Sequence, residues 1–391
     1  MTKPKLIRIT TVPLSLDKLL DGQLRFMNSF YSVIAVSSDK EYLEKVGDKE
    51  GIDTFHLEMT RKITPVHDFL AVVKLYRFLR KEKPLIVHTH TPKAGIVGML
   101  AARLASVPHR LHTVAGLPLL ETTGFKRKIL DFVEKLTYSC ATKVYPNSHG
   151  LLDIIIKNNY CQDKKLKVIA SGSSNGIDTD YFDRELFTQS QKATFRKQLN
   201  IAPEDFVFVF VGRLVGDKGI NEMVAAFVSL SQAQGDNRNT KVKLLLVGDY
   251  ETDLDPVLPL TLALINSNES IITVGFQADV RPYLAASNCL VFPSYREGFP
   301  NVVMQAGAMG LPSIVSDING CNEIIVEGEN GTIIPVKNRE PLLEKMTRIV
   351  TDKEYFMKLQ SHAREMIVSR YEQQVVWKAI RKEYKRLTSE L

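Results

Sequence analysis

The sequence predicts an α/β protein of two doubly wound domains, each with a parallel β-sheet between layers of helices. Three observations support this fold class. The chain has 391 residues, and at roughly 100–200 residues per domain two domains are expected. Short β-rich runs alternate with amphipathic stretches, which is the rhythm of βαβ units. The rhythm occurs twice, on either side of a polar stretch near residues 180–202 where apolar runs stop.

Apolar runs and their spacing give the elements of each half. Buried parallel strands are predicted where short apolar runs separate helical stretches, at 6–11, 31–36, 85–89, 110–114 and 143–146, and again at 206–211, 243–247, 270–274, 289–292 and 313–315. Helices are predicted from apolar spacing over 66–80, 126–138, 223–231, 301–309 and 341–350. The predicted domains are 1–185 and 186–370, and a C-terminal helix over 371–391 is expected to pack back toward the N-terminal domain.

Composition excludes several classes of protein. Hydrophobic residues make up 44% of the chain and charged residues 24%, as in an ordinary globular protein, which excludes wholesale disorder. No apolar run reaches the roughly 18 residues that a membrane span needs, and no signal peptide is expected at the N-terminus. The four cysteines show neither CxxC nor metal-ligand spacing, so they are interpreted as thiols in a reducing cytoplasm.

The charge is unevenly distributed along the chain. Residues 1–180 carry 27 Lys and Arg against 18 Asp and Glu, whereas the remainder carries 24 against 26. A basic half indicates an anionic partner, which can be a phosphorylated ligand, a membrane surface or nucleic acid, or it is simply a solvated basic surface. No recognition-helix, zinc or RNA-stacking motif is found, so no nucleic-acid partner is predicted.

A glycine-bearing loop follows the predicted strand 206–211. It begins at Gly212 and presents Arg213 and Lys218 before a helix. Arg offers planar bidentate hydrogen bonding and Lys a point charge, so the pair suits a diphosphate. The loop is neither a Walker A loop nor GxGxxG. The alternative is two surface cations on an ordinary loop.

A second loop follows the predicted strand 289–292 and carries Glu297. The helix after it begins near Pro300, and Gln305 lies just over one turn inside. Backbone N–H groups at the start of a helix attract phosphate and sugar oxygens. The donor-binding residues expected here are Gly298, Phe299, Pro300 and Asn301, and the N–H groups come from those other than Pro300, which has none. The alternative is a helix-capping loop with a surface Glu.

Together these segments resemble the retaining glycosyltransferases of family 4, which have the GT-B fold, two Rossmann-like domains that face a central cleft. The family's Arg-x4-Lys pair, matched here by Arg213 and Lys218, holds the donor diphosphate. The first acid of its Glu-x7-Glu motif, matched by Glu297, contacts the transferred sugar. The second acid binds the nucleotide ribose and is Gln305 in this chain. The resemblance thus implies that Arg213, Lys218 and Glu297 are catalytic and that Gln305 binds the donor.

Two further donor positions come from the same resemblance. Phe276 lies in the segment 275–280, where such enzymes hold the nucleobase through backbone contacts. Gly22 follows the first predicted strand and takes the place of the glycine loop that closes over the donor phosphates. The alternative for Gly22 is a glycine in an ordinary turn.

The N-terminal half resembles enzymes that extend polyprenyl-diphosphate-linked sugars, through segments 88–95, 112–118 and 171–178. This implies acceptor-binding residues at His90, Lys93, His112 and Gly116. The paired histidines 88 and 90 lack an evident third metal ligand, and each is alternatively a buried structural residue. The cleft histidine that the family places directly before the glycine is Ala115 here.

The resemblance implies a retaining transfer from a nucleotide-diphosphate sugar, with UDP and an N-acetylhexosamine as the expected donor, to a polyprenyl-diphosphate-linked saccharide. No cofactor and no metal are expected. A nucleotide-sugar epimerase and a weakly catalytic nucleotide-binding scaffold remain alternatives.

The expected location is cytoplasmic, peripheral on the inner face of the cytoplasmic membrane, with the basic, apolar segment 126–138 docking on the anionic surface. The oligomeric state is not predicted.

Overall fold

The computed structural model describes residues 3–60, 64–117, 119, 122–234, 241–251 and 255–389. The chain forms two compact units. The first consists of Met1–Gly176 together with Gln373–Leu391, and the second of Ile177–Glu372. The division therefore falls after Gly176 instead of after residue 185 as the sequence suggested.

The first unit contains, in its described residues, a parallel six-stranded sheet in the order β3-β2-β1-β4-β5-β6. Its strands are β1 (Lys5–Ile9), β2 (Ser32–Ser37), β3 (Asp53–His56), β4 (Ile86–His90), β5 (His109–Val114) and β6 (Lys143–Pro146). The chain moves outward from β1 to β3 and then returns past β1 to β4. The direction reverses beside β1, and ligands of open α/β sheets bind outside the carboxyl ends of the strands at such a point.

Helices connect these strands, and several begin with proline because its fixed φ suits the first helical turn. They are α1 (Pro13–Leu19), α2 (Gln23–Asn28), α3 (Lys40–Glu50), α4 (Pro65–Glu82), α5 (Pro92–Leu104), α6 (Gly124–Cys140) and α7 (His149–Lys157). In α4, Ala71, Leu75 and Leu79 are buried at four-residue spacing, so one stripe of the helix enters the core. Helix α5 packs between α4 and α6.

The C-terminal helix α16 (Gln373–Thr388) belongs to the first unit. Its buried side includes Trp377 and Tyr384. The Trp377 indole donates a hydrogen bond to Asn175 at 2.7 Å, and the Tyr384 hydroxyl accepts one from the buried Arg8. The same helix leaves Val375 41% exposed.

The second unit repeats this topology. Its described residues form a parallel six-stranded sheet in the order β12-β11-β10-β7-β8-β9. The strands are β7 (Phe206–Val211), β8 (Val242–Val247), β9 (Ile271–Thr273), β10 (Cys289–Phe292), β11 (Ser313–Ser316) and β12 (Gly331–Ile334). Read from β9, the order is the same as in the first sheet, so the reversal lies beside β7.

The helices of the second unit pack against both faces of its sheet. They are α8 (Gln189–Gln198), α9 (Ile220–Gln234), α10 (Pro259–Ser267), α11 (Arg281–Ala285), α12 (Asn301–Ala308), α13 (Cys321–Ile324), α14 (Arg339–Thr351) and α15 (Lys353–Tyr371). None of the helices that the structure describes in either unit is long and apolar enough to span a membrane.

The predicted fold class, two doubly wound parallel sheets, is confirmed, and each predicted strand has a counterpart within two residues at either end. Two strands were not predicted. Strand β3 has an exposed Asp53 and only half-buried residues after it, because it is an edge strand with one neighbour. Strand β12 begins at Gly331 and has four residues, so its apolar run is too short to stand out from a loop.

Candidate functional site

Four loops of the second unit follow neighbouring parallel strands and therefore gather at the carboxyl edge of its sheet. The loop after β7 carries Arg213 and Lys218, and the loop after β10 carries Glu297. The loops after β8 and β9 carry Glu251 and Phe276. The predicted cations, the acid and the aromatic residue thus share one edge, which is where open α/β sheets bind ligands.

The loop that presents Arg213 and Lys218 is fixed by the loop after β8. The Leu214 N–H donates to the Asp249 carbonyl oxygen at 2.8 Å. The Asp255 carboxylate accepts from the Asp217 N–H at 2.5 Å, within the short 3₁₀ turn that ends at Lys218. These bonds hold the backbone of both cations in place without engaging their charged groups.

Each of the two cations has a carboxylate partner. The Lys218 ammonium pairs with Glu297, and the Arg213 guanidinium pairs with Glu251. The side chains of Lys218 and Glu297 are only 16% and 17% exposed, whereas that of Arg213 is 55% exposed. The Lys218–Glu297 pair is therefore the better shielded one, and shielded charges interact more strongly.

Besides the pair with Lys218, two hydrogen bonds reach Glu297 and a third reaches the next residue, Gly298. The Ser294 hydroxyl donates to its carboxylate at 3.0 Å. The Asn319 amide donates to the carbonyl oxygens of Glu297 at 2.6 Å and of Gly298 at 3.2 Å. Asn319 lies in the loop after β11, and β11 is the strand next to β10 in the sheet. A neighbouring loop therefore positions the loop that bears the acid.

Helix α12 begins directly after this loop, with Pro300 as the residue before its first turn and Asn301 as its first residue. The first N–H groups of a helix have no acceptor within the helix and favour anions. Gln305 is half-buried in the next turn. Its amide makes no hydrogen bond among the residues that the structure describes, so both of its polar atoms are available to a ligand.

Phe276 presents an aromatic ring to solvent at the same edge. Its side chain is 72% exposed, and its N–H donates to the Asp249 carboxylate at 2.9 Å. Gly212 lies at the adjacent end of β7, where its N–H donates to Val247 at 2.9 Å. An exposed aromatic face at this edge is a surface on which a flat ring can stack.

Gly22, expected in a loop after the first strand, lies elsewhere. Helix α1, which starts at Pro13, separates it from β1, and Gly22 caps the start of α2 with a φ of +74°. A Cβ atom at this position would approach the ring of Trp377 to 2.7 Å. Packing against α16 therefore accounts for the glycine here.

The predicted acceptor residues of the first unit have different surroundings. His90 ends β4, is 4% exposed and stacks on the ring of His88 with 4.5 Å between centroids. His112 is buried and hydrogen-bonded to the Thr89 hydroxyl at 2.7 Å, and burial lowers the pKa of His112 to about 4. His112 is thus a neutral interior residue whose ring already has a protein partner.

Lys93 and Gly116 both lie at the carboxyl edge of the first sheet. Lys93 is in the first turn of α5 and pairs with Asp68 of α4 at 2.5 Å. Gly116 follows β5, and a Cβ atom there would meet nothing within 4 Å. In the part of the chain that the structure describes, no cluster of three or more His, Cys, Asp or Glu residues is arranged to hold a metal ion.

Sequence reasoning missed Glu251, Asp255 and Asn319. Glu251 pairs with Arg213, Asp255 accepts from the Asp217 N–H beside Lys218, and Asn319 donates to the Glu297 carbonyl oxygen. Each contact comes from another loop, so no local motif reveals it. The signal in the sequence that could have indicated these residues was their position after predicted strands. Glu251 follows a predicted strand closely, and polar residues at the carboxyl end of a parallel strand point to the binding edge.

The chain is similar to known proteins over nearly its whole length. Residues 191–366 match the family described as glycosyl transferases group 1, and residues 27–172 match the glycosyl transferase 4-like domain. CapM of Staphylococcus aureus, a capsular polysaccharide biosynthesis glycosyltransferase, is 31% identical over 98% of this chain and 97% of its own. An Escherichia coli UDP-Gal:alpha-D-GlcNAc-diphosphoundecaprenol alpha-1,3-galactosyltransferase is 30% identical over 75% of this chain and 74% of its own.

Solved structures show the same fold. HepE of Anabaena, crystallised in complex with UDP, superimposes with a TM-score of 0.80 at 19% identity, over 98% of this chain and 100% of its own. Sucrose-phosphate synthase from Thermosynechococcus elongatus gives a TM-score of 0.76 at 19% identity, over 100% of both chains. These neighbours have the GT-B fold, which confirms the fold that the sequence motifs implied.

The glycine directly after Lys218 provides a test of how tightly this loop is packed. Gly219 has a φ of +71°, and a Cβ atom there would lie 2.2 Å from the Pro293 carbonyl oxygen. Gly310 has nearly the same φ, +73°, with nothing within 4 Å. We expect Gly310→Ala to lower the free energy of unfolding by about 1–2 kcal/mol through backbone strain. Gly219→Ala should lose a further 1–3 kcal/mol or so through overpacking.

Urea titration followed by circular dichroism measures both variants. If both variants lost the same free energy of unfolding, the loop after β7 would accommodate the added methyl group without overpacking, contrary to the close approach of Pro293.

Proposed function

The chain belongs to the group 1 glycosyltransferases and has the GT-B fold, and on that basis we propose that it extends a lipid-linked glycan in surface-polysaccharide assembly. The donor is a UDP-linked sugar, with an N-acetylhexosamine as the first candidate, and the acceptor is a polyprenyl-diphosphate-linked saccharide. The names of the relatives support a UDP-linked donor and a lipid-linked acceptor, since CapM acts in capsular polysaccharide biosynthesis and the E. coli relative uses UDP-Gal and a diphosphoundecaprenol-linked GlcNAc. The observation that carries the proposal is the group of Arg213, Lys218 and Glu297 at one sheet edge.

The two cations stabilise the leaving group. In the transfer, the bond between the anomeric carbon and the diphosphate oxygen breaks, and negative charge accumulates on the diphosphate. Arg213, Lys218 and the N–H groups at the start of α12 supply positive charge where it develops. Because these groups belong to the protein, we propose that the reaction needs no metal ion.

In the proposed complex, the donor diphosphate displaces the carboxylate partners of Arg213 and Lys218. A diphosphate carries more charge than one carboxylate and offers several acceptor oxygens, so it competes well for Arg213 and Lys218. Exposed ion pairs contribute only about 0–1 kcal/mol, which makes the exchange at Arg213 inexpensive. Once Lys218 turns to phosphate, Glu297 is free to accept hydrogen bonds from the hydroxyl groups of the transferred sugar.

The nucleotide has three proposed contacts. The uracil ring lies against the exposed Phe276, and the Gln305 amide bonds the ribose hydroxyls. The backbone of Gly298–Asn301 binds phosphate oxygens. A neutral Gln in place of an acid keeps hydrogen-bonding capacity and loses only the charge. A ribose is neutral, so this substitution leaves the contact possible.

Retention is proposed to follow from attack on the face from which the diphosphate leaves. The acceptor hydroxyl oxygen forms a bond to the anomeric carbon, and its proton passes to the departing phosphate oxygen. No enzymic nucleophile is needed in this scheme. Glu297 orients the sugar and stabilises the cationic character at its ring.

We propose that the first unit docks on the anionic inner face of the cytoplasmic membrane. Phe125 and Phe132 of α6 are 79% and 66% exposed, and Lys126 and Lys128 are exposed beside them. Arg127, the third cation of the predicted cluster, is instead bound to Asp131 at 2.8 Å. Cations beside exposed aromatic residues suit an interface between headgroups and acyl chains.

Helix α4 extends this docking surface. Its first turns expose Val66, Phe69 and Leu70, and it packs on α5 from the side opposite to α6. Helices α4 and α6 follow parallel strands, so both begin at the carboxyl edge of the sheet. The same edge carries the predicted acceptor residues, which supports the proposal that a lipid-linked acceptor binds on the side of the unit that docks on the membrane.

The proposal is tested by offering a panel of UDP-sugars with a polyprenyl-diphosphate-linked saccharide and identifying products by mass spectrometry. We expect a retained glycosidic product with one donor. Arg213→Ala and Lys218→Ala should each lower turnover roughly 100- to 1000-fold, as loss of one preorganised charge contact does. Lys353→Ala, an exposed cation at the start of α15, is the matched control and should retain full turnover.

Wild-type turnover in either site variant would remove the diphosphate role. An isomerised donor without acceptor would indicate an epimerase, and UDP binding without any product would indicate a scaffold.

Glu297→Gln separates sugar positioning from nucleotide binding. The amide keeps the size of the side chain and loses its charge, so we expect kcat to fall at least roughly tenfold. The Kd for UDP should not rise, because Lys218 loses the carboxylate that competes with the diphosphate. Isothermal titration with UDP and initial-rate kinetics give the two quantities. A variant that binds UDP far more weakly but turns over normally at saturation would contradict a sugar contact.

Membrane docking is measured by co-sedimentation with vesicles of anionic phospholipid. Each basic residue near such a surface contributes about 1 kcal/mol, so the double variant Lys126→Glu with Lys128→Glu should bind at least tenfold more weakly. Lys378→Glu, an exposed cation on α16 of the same unit, is the control. Binding that resists both the double variant and high salt would rule out electrostatic docking through α6.

A further inference from the structure

A small cavity lies at the carboxyl edge of the first sheet, among the ends of β4, β5 and β6 and the loop of Ser173 and Ser174. Its volume is about 10 Å³. One water molecule needs at least roughly 10–15 Å³ of such space, so the cavity is of a size for a single water or hydroxyl group. A phosphate group is too large for it.

Three polar atoms of the cavity lining have no hydrogen-bond partner among the described residues. They are His90 Nε2, Asn147 Oδ1 and Ser174 Oγ, and each atom is buried. His90 and Asn147 are 4% and 6% exposed as whole residues. A buried polar group without a partner costs about 1–3 kcal/mol, so three around one space indicate that something polar fills it.

The walls around these atoms are held by hydrogen bonds, so the missing partners do not result from a loose loop. The Ser173 N–H donates to the Asn147 carbonyl oxygen at 2.8 Å. The Ser174 carbonyl oxygen accepts from the Gln23 amide at 3.0 Å. His88, which stacks on His90, bonds the Thr113 hydroxyl at 2.7 Å. The cavity is thus preformed, and the three residues that bear the unpartnered atoms line it.

The cavity is electrically neutral. Burial, with help from the nearby Arg8 guanidinium, holds the pKa of His90 well below its usual range, and burial likewise lowers the pKa of His88. Asn147 and Ser174 carry no charge. The Asn147 oxygen requires a donor, whereas the Ser174 hydroxyl and the His90 nitrogen can pair with either a donor or an acceptor. A hydroxyl group offers both functions in one atom.

We infer that His90, Asn147 and Ser174 form a subsite that receives one hydroxyl group of the acceptor saccharide and holds a water molecule when no acceptor is bound. The inference rests on the proposed function, which supplies a sugar acceptor at this edge. It assigns Asn147 and Ser174 individual roles in acceptor recognition, and Asn147 lies outside the segments that carried the resemblance. It also supplies a hydrogen-bond partner for His90 Nε2, which has none among the described residues.

Ser174→Ala tests the inference with little disturbance, because the Ser174 hydroxyl makes no hydrogen bond within the described residues. We expect the KM for undecaprenyl-diphosphate-linked N-acetylglucosamine to rise roughly three- to tenfold, the effect of one lost hydrogen bond. The KM for the donor and the unfolding temperature should not change. Ser171→Ala, the same substitution in the same loop but outside the cavity lining, should leave all three quantities unchanged.

Monodeoxy analogues of this acceptor identify the hydroxyl group. The analogue that lacks the hydroxyl group bound in the cavity should have a raised KM with the wild-type enzyme. Ser174→Ala should raise the KM for this analogue less than it raises the KM for the complete acceptor, because the contact with Ser174 is already absent. A high-resolution crystal structure of the free protein should show a water within hydrogen-bond distance of all three atoms.

Two results would overturn the inference. One is an acceptor KM unchanged in Ser174→Ala together with a water that stays in place when acceptor binds, which means a structural water only. The other is an empty cavity in the crystal. If the wild-type protein transfers no sugar to any lipid-linked saccharide, the proposed function fails separately, and the presence or absence of the three-contact water decides whether a hydroxyl-sized site exists.

Discussion

Parallel strands end at the same edge of a sheet, and the candidate chemistry of both units depends on this constraint. In the second unit it brings together Arg213 and Glu297, which are far apart in sequence but follow the adjacent strands β7 and β10. In the first unit the same strand order brings His90 of β4 close to Asn147, which follows β6. Each unit therefore needs only a few substitutions in its loops to acquire a site, because the sheet already determines where those loops meet.

Local signals in the sequence were sufficient for most strands, for helices α9, α12 and α14 and for the charged loop residues of the second unit, whereas strand β12 and helix α15 were not predicted. The Arg213–Lys218 loop and the Glu297 loop each lie within one βα connection, so spacing along the chain reflects spacing in the fold. Contacts between loops were not predictable in this way. Glu251, Asp255 and Asn319 act across strands, and the role of Gly22 depends on Trp377, which lies on a helix at the far end of the chain. His112 is a buried residue of β5. The sequence around a single strand residue does not show whether its side chain is covered by the packing of the protein or faces a cleft.

The free protein already contains the negative charges that its cations need. Glu251 and Glu297 occupy Arg213 and Lys218, so neither cation pays the full cost of partial burial alone. This arrangement keeps the site ordered without a ligand, while the partly exposed Arg213 pair remains weak enough to exchange. In the proposed reaction the same exchange frees Glu297 for the sugar, so phosphate binding and sugar positioning are linked through Lys218.

In the first unit the charged groups and the neutral hydrogen-bonding groups occupy different places. Its excess of basic residues is carried by exposed side chains such as Lys126 and Lys128, whereas the histidines at the sheet edge are buried and neutral. The buried Arg8 reinforces this division, because its charge disfavours protonation of His88 and His90. A lipid diphosphate and a membrane surface are anionic, but a saccharide is recognised through its hydroxyl groups. A neutral interior cavity under a basic exterior therefore matches the two chemically different ends of the proposed acceptor.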